Sequence, residues 1–150
     1  MSDSPKSPLV DLNCACAGIR RTARLVTQLY SHEMDSTVEP AQFSLLTVLN
    51  HRPGATQSAI GRALGLDKTT TSRNLRLIQQ YGWIEPAPTD DHRERGYRLS
   101  PSGRRLLAAA KPGWQRAQRK LRAALKPGEW EAMFDVINRV AAASLAAQQD

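Results

Sequence analysis

Apolar residues recur at helical spacing over most of this chain, with strand-like runs confined to short stretches around residues 84 and 98. Leu9, Leu12, Cys16, Ile19, Ala23, Val26 and Tyr30 alternate at intervals of three and four, so they form one stripe of a helix expected over residues 9–36. Gly18, Thr22, Leu25 and Leu29 make a second strip beside it. A single neighbouring helix would not cover both. Pro40 suits the first turn of a second helix carrying Phe43, Leu45, Leu46, Val48 and Leu49, and Pro53-Gly54 forbids its continuation. Ser100-Pro101 opens a long helix faced by Leu106, Leu107, Ala110, Trp114, Ala117, Leu121 and Leu125. Pro112-Gly113 leaves the period in phase, which predicts a kink rather than a stop. Beyond Lys126-Pro127-Gly128 a last helix presents Trp130, Met133, Phe134, Ile137, Val140 and Leu145.

The middle of the chain is punctuated differently. Thr56 is a candidate N-cap for a third helix with Ile60, Ala63 and Leu64 inward. Gly65 supplies a turn, Leu66 plugs it, and Asp67 caps a fourth helix, its carboxylate favoured by the positive helix end. There Thr71, Leu75 and Ile78 point to the core and leave Thr69, Ser72, Arg73 and Arg76 outward. Tyr81-Gly82 ends that helix. Trp83-Ile84-Glu85 and Tyr97-Arg98-Leu99 read as two short strands around a loop over residues 86–96. Helix, tight turn, helix and basic hairpin together make a winged helix-turn-helix. The expected fold is therefore mainly α. It comprises a disordered tail at 1–8, an N-terminal dimerisation helix at 9–36, a winged helix-turn-helix DNA-binding region at 37–100 and C-terminal dimerisation helices at 101–150. Terminal helices with surplus apolar surface commonly bury it in a two-fold partner, which predicts a homodimer.

Charge narrows the partner. The 150 residues carry a formal net charge of +7, which favours a polyanion but does not by itself separate nucleic acid from a membrane or an acidic protein. Cys14 and Cys16 are too few and too close for a disulfide framework, so a reducing cytoplasm is expected. No stretch approaches the roughly 20 apolar residues that span a bilayer. The start, Met1-Ser2-Asp3-Ser4-Pro5-Lys6-Ser7-Pro8, lacks the apolar region of a signal peptide. His32, His51 and His92 are scattered, and Cys14 with Cys16 lacks the further ligands of a zinc site. His32 with Glu33 reads as a solvated helix end. Without a phosphate loop or a nucleophile beside a base, the expectation is neither an enzyme nor a cofactor or metal protein.

The fourth helix then decides the class. A merely solvated face usually mixes both signs, whereas this one bears no carboxylate after Asp67. Arg73 or Arg76 could grip guanine with two prongs, while Thr69 or Ser72 could touch thymine methyls or phosphate. Lys68 and Arg95 complete the candidate DNA-contacting set with Arg93, which is the candidate for minor-groove insertion from the wing tip. Asp91 reads as a brace for a wing arginine.

These residues resemble the MarR family of bacterial winged-helix regulators over about residues 9–145. The resemblance is carried by Leu66-Asp67-Lys68-Thr69-Thr70-Thr71-Ser72-Arg73, Gly82-Trp83-Ile84-Glu85, Asp91-His92-Arg93-Glu94-Arg95 and Leu99-Ser100-Pro101-Ser102-Gly103. It implies an obligate homodimer with first, fifth and sixth helices interlocked. It also implies control by small phenolic ligands, by cysteine oxidation or, more rarely, by metal. Cys16 and Tyr30 resemble in spacing the reactive cysteine and one tyrosine partner of organic-hydroperoxide-sensing members, with Arg20 where the other tyrosine would stand. Cys16 is therefore the redox candidate, against the plainer role of a small buried hydrophobe. By helical arithmetic Cys14 points away from it. The expected protein is a cytoplasmic DNA-binding regulator, a repressor released from a palindromic double-stranded operator by a small phenolic ligand or an organic hydroperoxide. The rival is a winged-helix module that docks an acidic protein.

Overall fold

The computed structural model describes residues 9–35, 38–90 and 93–149. The tail expected at 1–8, and Asp91 with its bracing role, lie outside the described residues. Element order is α1 (Ala15–Met34), α2 (Pro40–His51), β1 (Ala55–Thr56), α3 (Gln57–Leu64), α4 (Lys68–Gln80), β2 (Ile84–Ala87), β3 (Gly96–Leu99), α5 (Pro101–Ala123) and α6 (Glu129–Ala146). The fold is mainly helical, as the periodicity requires.

Local chemistry accounts for most boundaries. Pro40 opens α2, while Thr56 and Ser100 cap α3 and α5 by accepting the amides of Ala59 and Gly103 at 3.2 and 3.0 Å. α5 continues through Pro112 without a stop. At the other end of the chain the expected boundary is wrong. Helix α1 begins at Ala15, so Leu9 and Leu12 do not extend its stripe. Asn13 takes a left-handed φ of 29°, and Cys14 is the N-cap in extended backbone, its Sγ facing the Ala17 amide at 3.5 Å. The helical arithmetic applied to Cys14 therefore fails. Cys16 does lie on α1, exposed in the single chain.

The two expected strands are joined by a third. The sheet order is β1-β3-β2, all antiparallel, with Ala55 opposite Tyr97 and Ile84 opposite Leu99. Leu45, Leu46, Leu49, Ile60, Leu75 and Ile78 form the centre of the core, closed by Ile84, Tyr97 and Leu99 from the sheet and Ala110 from α5. Ala63, expected inward, is exposed. Its position on the short α3 falls beyond the arc that Ile60 and Leu64 cover.

Helix α1 reaches this core only at its end. A Cβ at Gly113 would lie 2.6 Å from the Met34 Cα and 2.7 Å from the Glu33 carbonyl oxygen, so the bare glycine lets α1 and α5 touch backbone to backbone. Glu33 is not a solvated helix end: it is 7% exposed, bonded to Lys120 and within 3.7 Å of Arg116, which also donates to the Glu33 carbonyl at 2.7 Å. The Lys120 hydrogen bond holds the Glu33 carboxyl below its ordinary range, against the opposing effect of burial. His32, which stays in solvent, adds to the lowering. Helix α6 has no buried residue, and Phe134, Val136, Ile137, Val140 and Leu145 are exposed along it.

Candidate nucleic-acid interface

The recognition helix α4 is set by a turn and a cap. Gly65 adopts φ 65°, a left-handed conformation that lets the chain reverse after α3, and the Leu66 amide donates to the Gly61 carbonyl at 2.9 Å. Asp67 then receives both polar hydrogens of Thr70, from the amide at 2.7 Å and from the hydroxyl at 2.8 Å. These bonds, the amide first, hold its carboxyl below the ordinary range. The Thr71 hydroxyl turns back to the Asp67 carbonyl at 2.7 Å and is buried with Leu75 and Ile78.

With that face inward, Lys68, Thr69, Arg73 and Arg76 are exposed, and Ser72 is half-buried at the margin. Ser72 is thus less accessible than Lys68, Thr69, Arg73 and Arg76. No acidic residue occurs in α4. The side chains of Lys68, Arg73, Arg76 and Arg95 have no ion-pair partner among the described residues. Cations left unneutralised on one surface make a field attractive to phosphate.

The wing stands on the sheet beside this helix. The Gly54 amide donates to the Tyr97 carbonyl at 2.8 Å, and Arg98 pairs with Glu85 across β2 and β3 at 2.7 Å. Arg93 and Arg95 are exposed in the turn between the strands. Glu94 does not pair with either: its Oε1 accepts the Ser58 hydroxyl at 3.1 Å. An open cleft of about 1270 Å³ separates this unit from the end of α6, with Leu66, Asp67 and Arg95 on one wall and Ala141 and Leu145 on the other. Trp114 of α5 stacks on Phe43 of α2 with ring centres 6.0 Å apart. No helix among the described residues is long and apolar enough to cross a membrane. No group of three or more His, Cys, Asp or Glu that could hold a metal ion occurs among them either.

Three features escaped the sequence reading. Strand β1 is two residues long, too short for any alternation to be visible. The Ser58–Glu94 bond joins residues 36 positions apart and leaves no local sign. Glu33 falls three residues after Tyr30, which packs against the core, but beside His32 it reads as a solvated end.

Comparison with known proteins agrees with this geometry. The MarR family sequence model matches residues 36–94. The DNA complex of the M. tuberculosis transcriptional regulator MosR is 30% identical to this chain, covering 89% of it and 98% of that protein with a TM-score of 0.80. The PcaV transcriptional regulator of Streptomyces coelicolor, solved with its natural ligand, is 25% identical over 91% of this chain and 98% of its own, with a TM-score of 0.79. Ligand-free MarR from E. coli, 18% identical with a TM-score of 0.68 over 87% of this chain and 98% of its own, shares the fold.

Proposed function

The chain belongs to the MarR family of DNA-binding transcription regulators, and from that premise we propose that it is a homodimeric repressor of the cytoplasm. It reads a palindromic operator with α4 and leaves it when a small-molecule or oxidative signal arrives. The observation that carries the reading is the exposed face of α4, with Lys68, Thr69, Arg73 and Arg76 presented and no carboxylate after the Asp67 cap. Ser72 contributes from the margin, and Arg93 and Arg95 extend the cationic surface to the wing. The exposed apolar face of α6 supports dimerisation. Two copies related by a two-fold axis would offer two recognition helices to the two halves of a palindrome.

Release requires an effector that binds the non-DNA shape more tightly than the DNA-bound one. A small phenolic ligand or oxidation of Cys16 by an organic hydroperoxide are the two chemistries proposed. Both cysteines are exposed in the single chain, so paired substitutions must separate them. DNA selected from a random pool should outcompete a scrambled duplex, and log affinity should fall linearly with log salt. The selected duplex is then challenged with organic hydroperoxide and with phenolic acids, using the wild type, Cys14→Ser and Cys16→Ser. Loss of the peroxide response in Cys16→Ser alone supports the cysteine. Equal affinity for selected and scrambled DNA at every salt concentration would instead favour non-specific binding or docking of an acidic protein.

A further inference from the structure

We propose that Glu94 is a positioning residue for DNA binding, clasping the wing to α3 through Ser58 and so fixing the distance from the wing arginines to α4. The inference rests on the DNA-binding reading. A carboxylate between Arg93 and Arg95 opposes phosphate if it faces the duplex. Alternation of sign in the turn suggests that it folds onto a neighbouring arginine. It does neither. The Glu94 side chain leaves the turn and accepts the Ser58 hydroxyl at 3.1 Å, while its carbonyl accepts the Thr89 hydroxyl at 3.0 Å from the other limb of the hairpin.

The base of the wing is already fixed. β1 pairs with β3, and a Cβ at Gly96 would lie 2.6 Å from the Gly54 carbonyl oxygen, so the bare glycine lets the backbones meet closely there. Above the base, β2 ends at Ala87 and the ladder with it, so the tip needs another restraint. The Glu94 bond supplies one, and its other end lies next to a second link. Gln57, the residue before Ser58, donates from Nε2 to the Lys68 carbonyl at 3.3 Å, where α4 begins. Adjacent residues in the first turn of α3 therefore hold the wing on one side and the recognition helix on the other. A duplex presents groove and backbone at fixed separation, so two contacting elements gain most when their spacing is set beforehand.

The test compares affinity for the selected operator among the wild type, Glu94→Gln, Glu94→Ala, Ser58→Ala and Ser58→Ala combined with each Glu94 variant, with thermal unfolding measured alongside. Both Glu94 variants lose the charge, but glutamine keeps an acceptor oxygen for Ser58. Glu94→Ala should bind the operator roughly three- to ten-fold more weakly than Glu94→Gln, the worth of one net hydrogen bond. With Ser58→Ala present that ratio should collapse to one. Melting temperatures and affinity for scrambled DNA should stay together across the set. Equal affinities of Glu94→Ala and Glu94→Gln with Ser58 left in place would overturn the clasp while leaving operator recognition intact. Wild type without operator preference would overturn the functional reading, and the clasp with it.

Discussion

Helices α2 and α6 are both rich in apolar residues and meet opposite fates. In α2, Leu45, Leu46 and Leu49 are almost wholly buried within the chain, whereas Ile137 and Leu145 of α6 are 53% and 64% exposed. α2 is surrounded by α3, α5 and β3, and the sheet closes the core beneath it. α6 buries no residue in its own chain, although its Glu131 pairs with Arg122 at the end of α5 at 3.0 Å. Ile19 and Leu25 of α1 are left in the same condition at the other end. The middle of the protein finishes its core alone, and the ends do not. Apolar surface of this extent on helices is what an obligate partner covers.

Truncation probes the difference most severely. Removing residues 133–150 deletes the face that a second copy would meet and exposes what it covered, so insoluble or unfolded protein is expected in place of a folded monomer, as read by solubility and circular dichroism. Single substitutions then set the two regions against each other. Leu46→Ala should destabilise by about 2–5 kcal/mol in denaturant unfolding, because the cavity lies in a closed core. Ile137→Ala would stay within about 0.5 kcal/mol on a solvated helix. In a dimer its loss is larger and grows as the protein is diluted.

A smaller effect belongs to DNA recognition. Arg73→Ala should cost about 1–3 kcal/mol at the selected operator and relax base preference at its contact. Arg93→Ala should weaken binding more evenly across sequences, or remove a preference for A·T flanks if the wing enters the minor groove. Competition between operator and variant duplexes reads both.

The mildest effect concerns the clamp between α1 and α5. The Glu33 carboxyl titrates below its ordinary value of 4.5 in the folded protein. Its contribution is therefore fully present above pH 4.5 and is lost as pH falls through the lowered folded value. Glu33→Gln should be less stable than wild type near neutrality and should converge on it in acid. Parallel stability curves from neutral to acid pH would show that the carboxylate does not bear on the clamp.

What could be read from residues alone was local. Thr56, Asp67 and Ser100 announced their helices because a cap acts through its own side chain on amides two or three residues ahead. The inward face of α4 followed from the spacing of Thr71, Leu75 and Ile78 for the same reason. Periodicity misled where nothing local stopped it: Leu9 and Leu12 continue the α1 stripe in number, but the backbone leaves the helix at Cys14. Features made by residues far apart left little trace, including the pairing of Ala55 with Tyr97 and the bond from Ser58 to Glu94. The grip of Lys120 on Glu33 was hidden by residue type, since a glutamate beside a histidine resembles a solvated end. Of the candidate DNA residues, Lys68, Thr69, Arg73, Arg76, Arg93 and Arg95 stand exposed on α4 and the wing, and Ser72 is partly shielded.

Sedimentation velocity of the full chain at low micromolar concentration addresses the unfinished ends directly. A single species near twice 16.6 kDa, shifting to the monomer mass with Ile137→Glu, is the result the account predicts. A well-folded wild-type monomer at that concentration would contradict it.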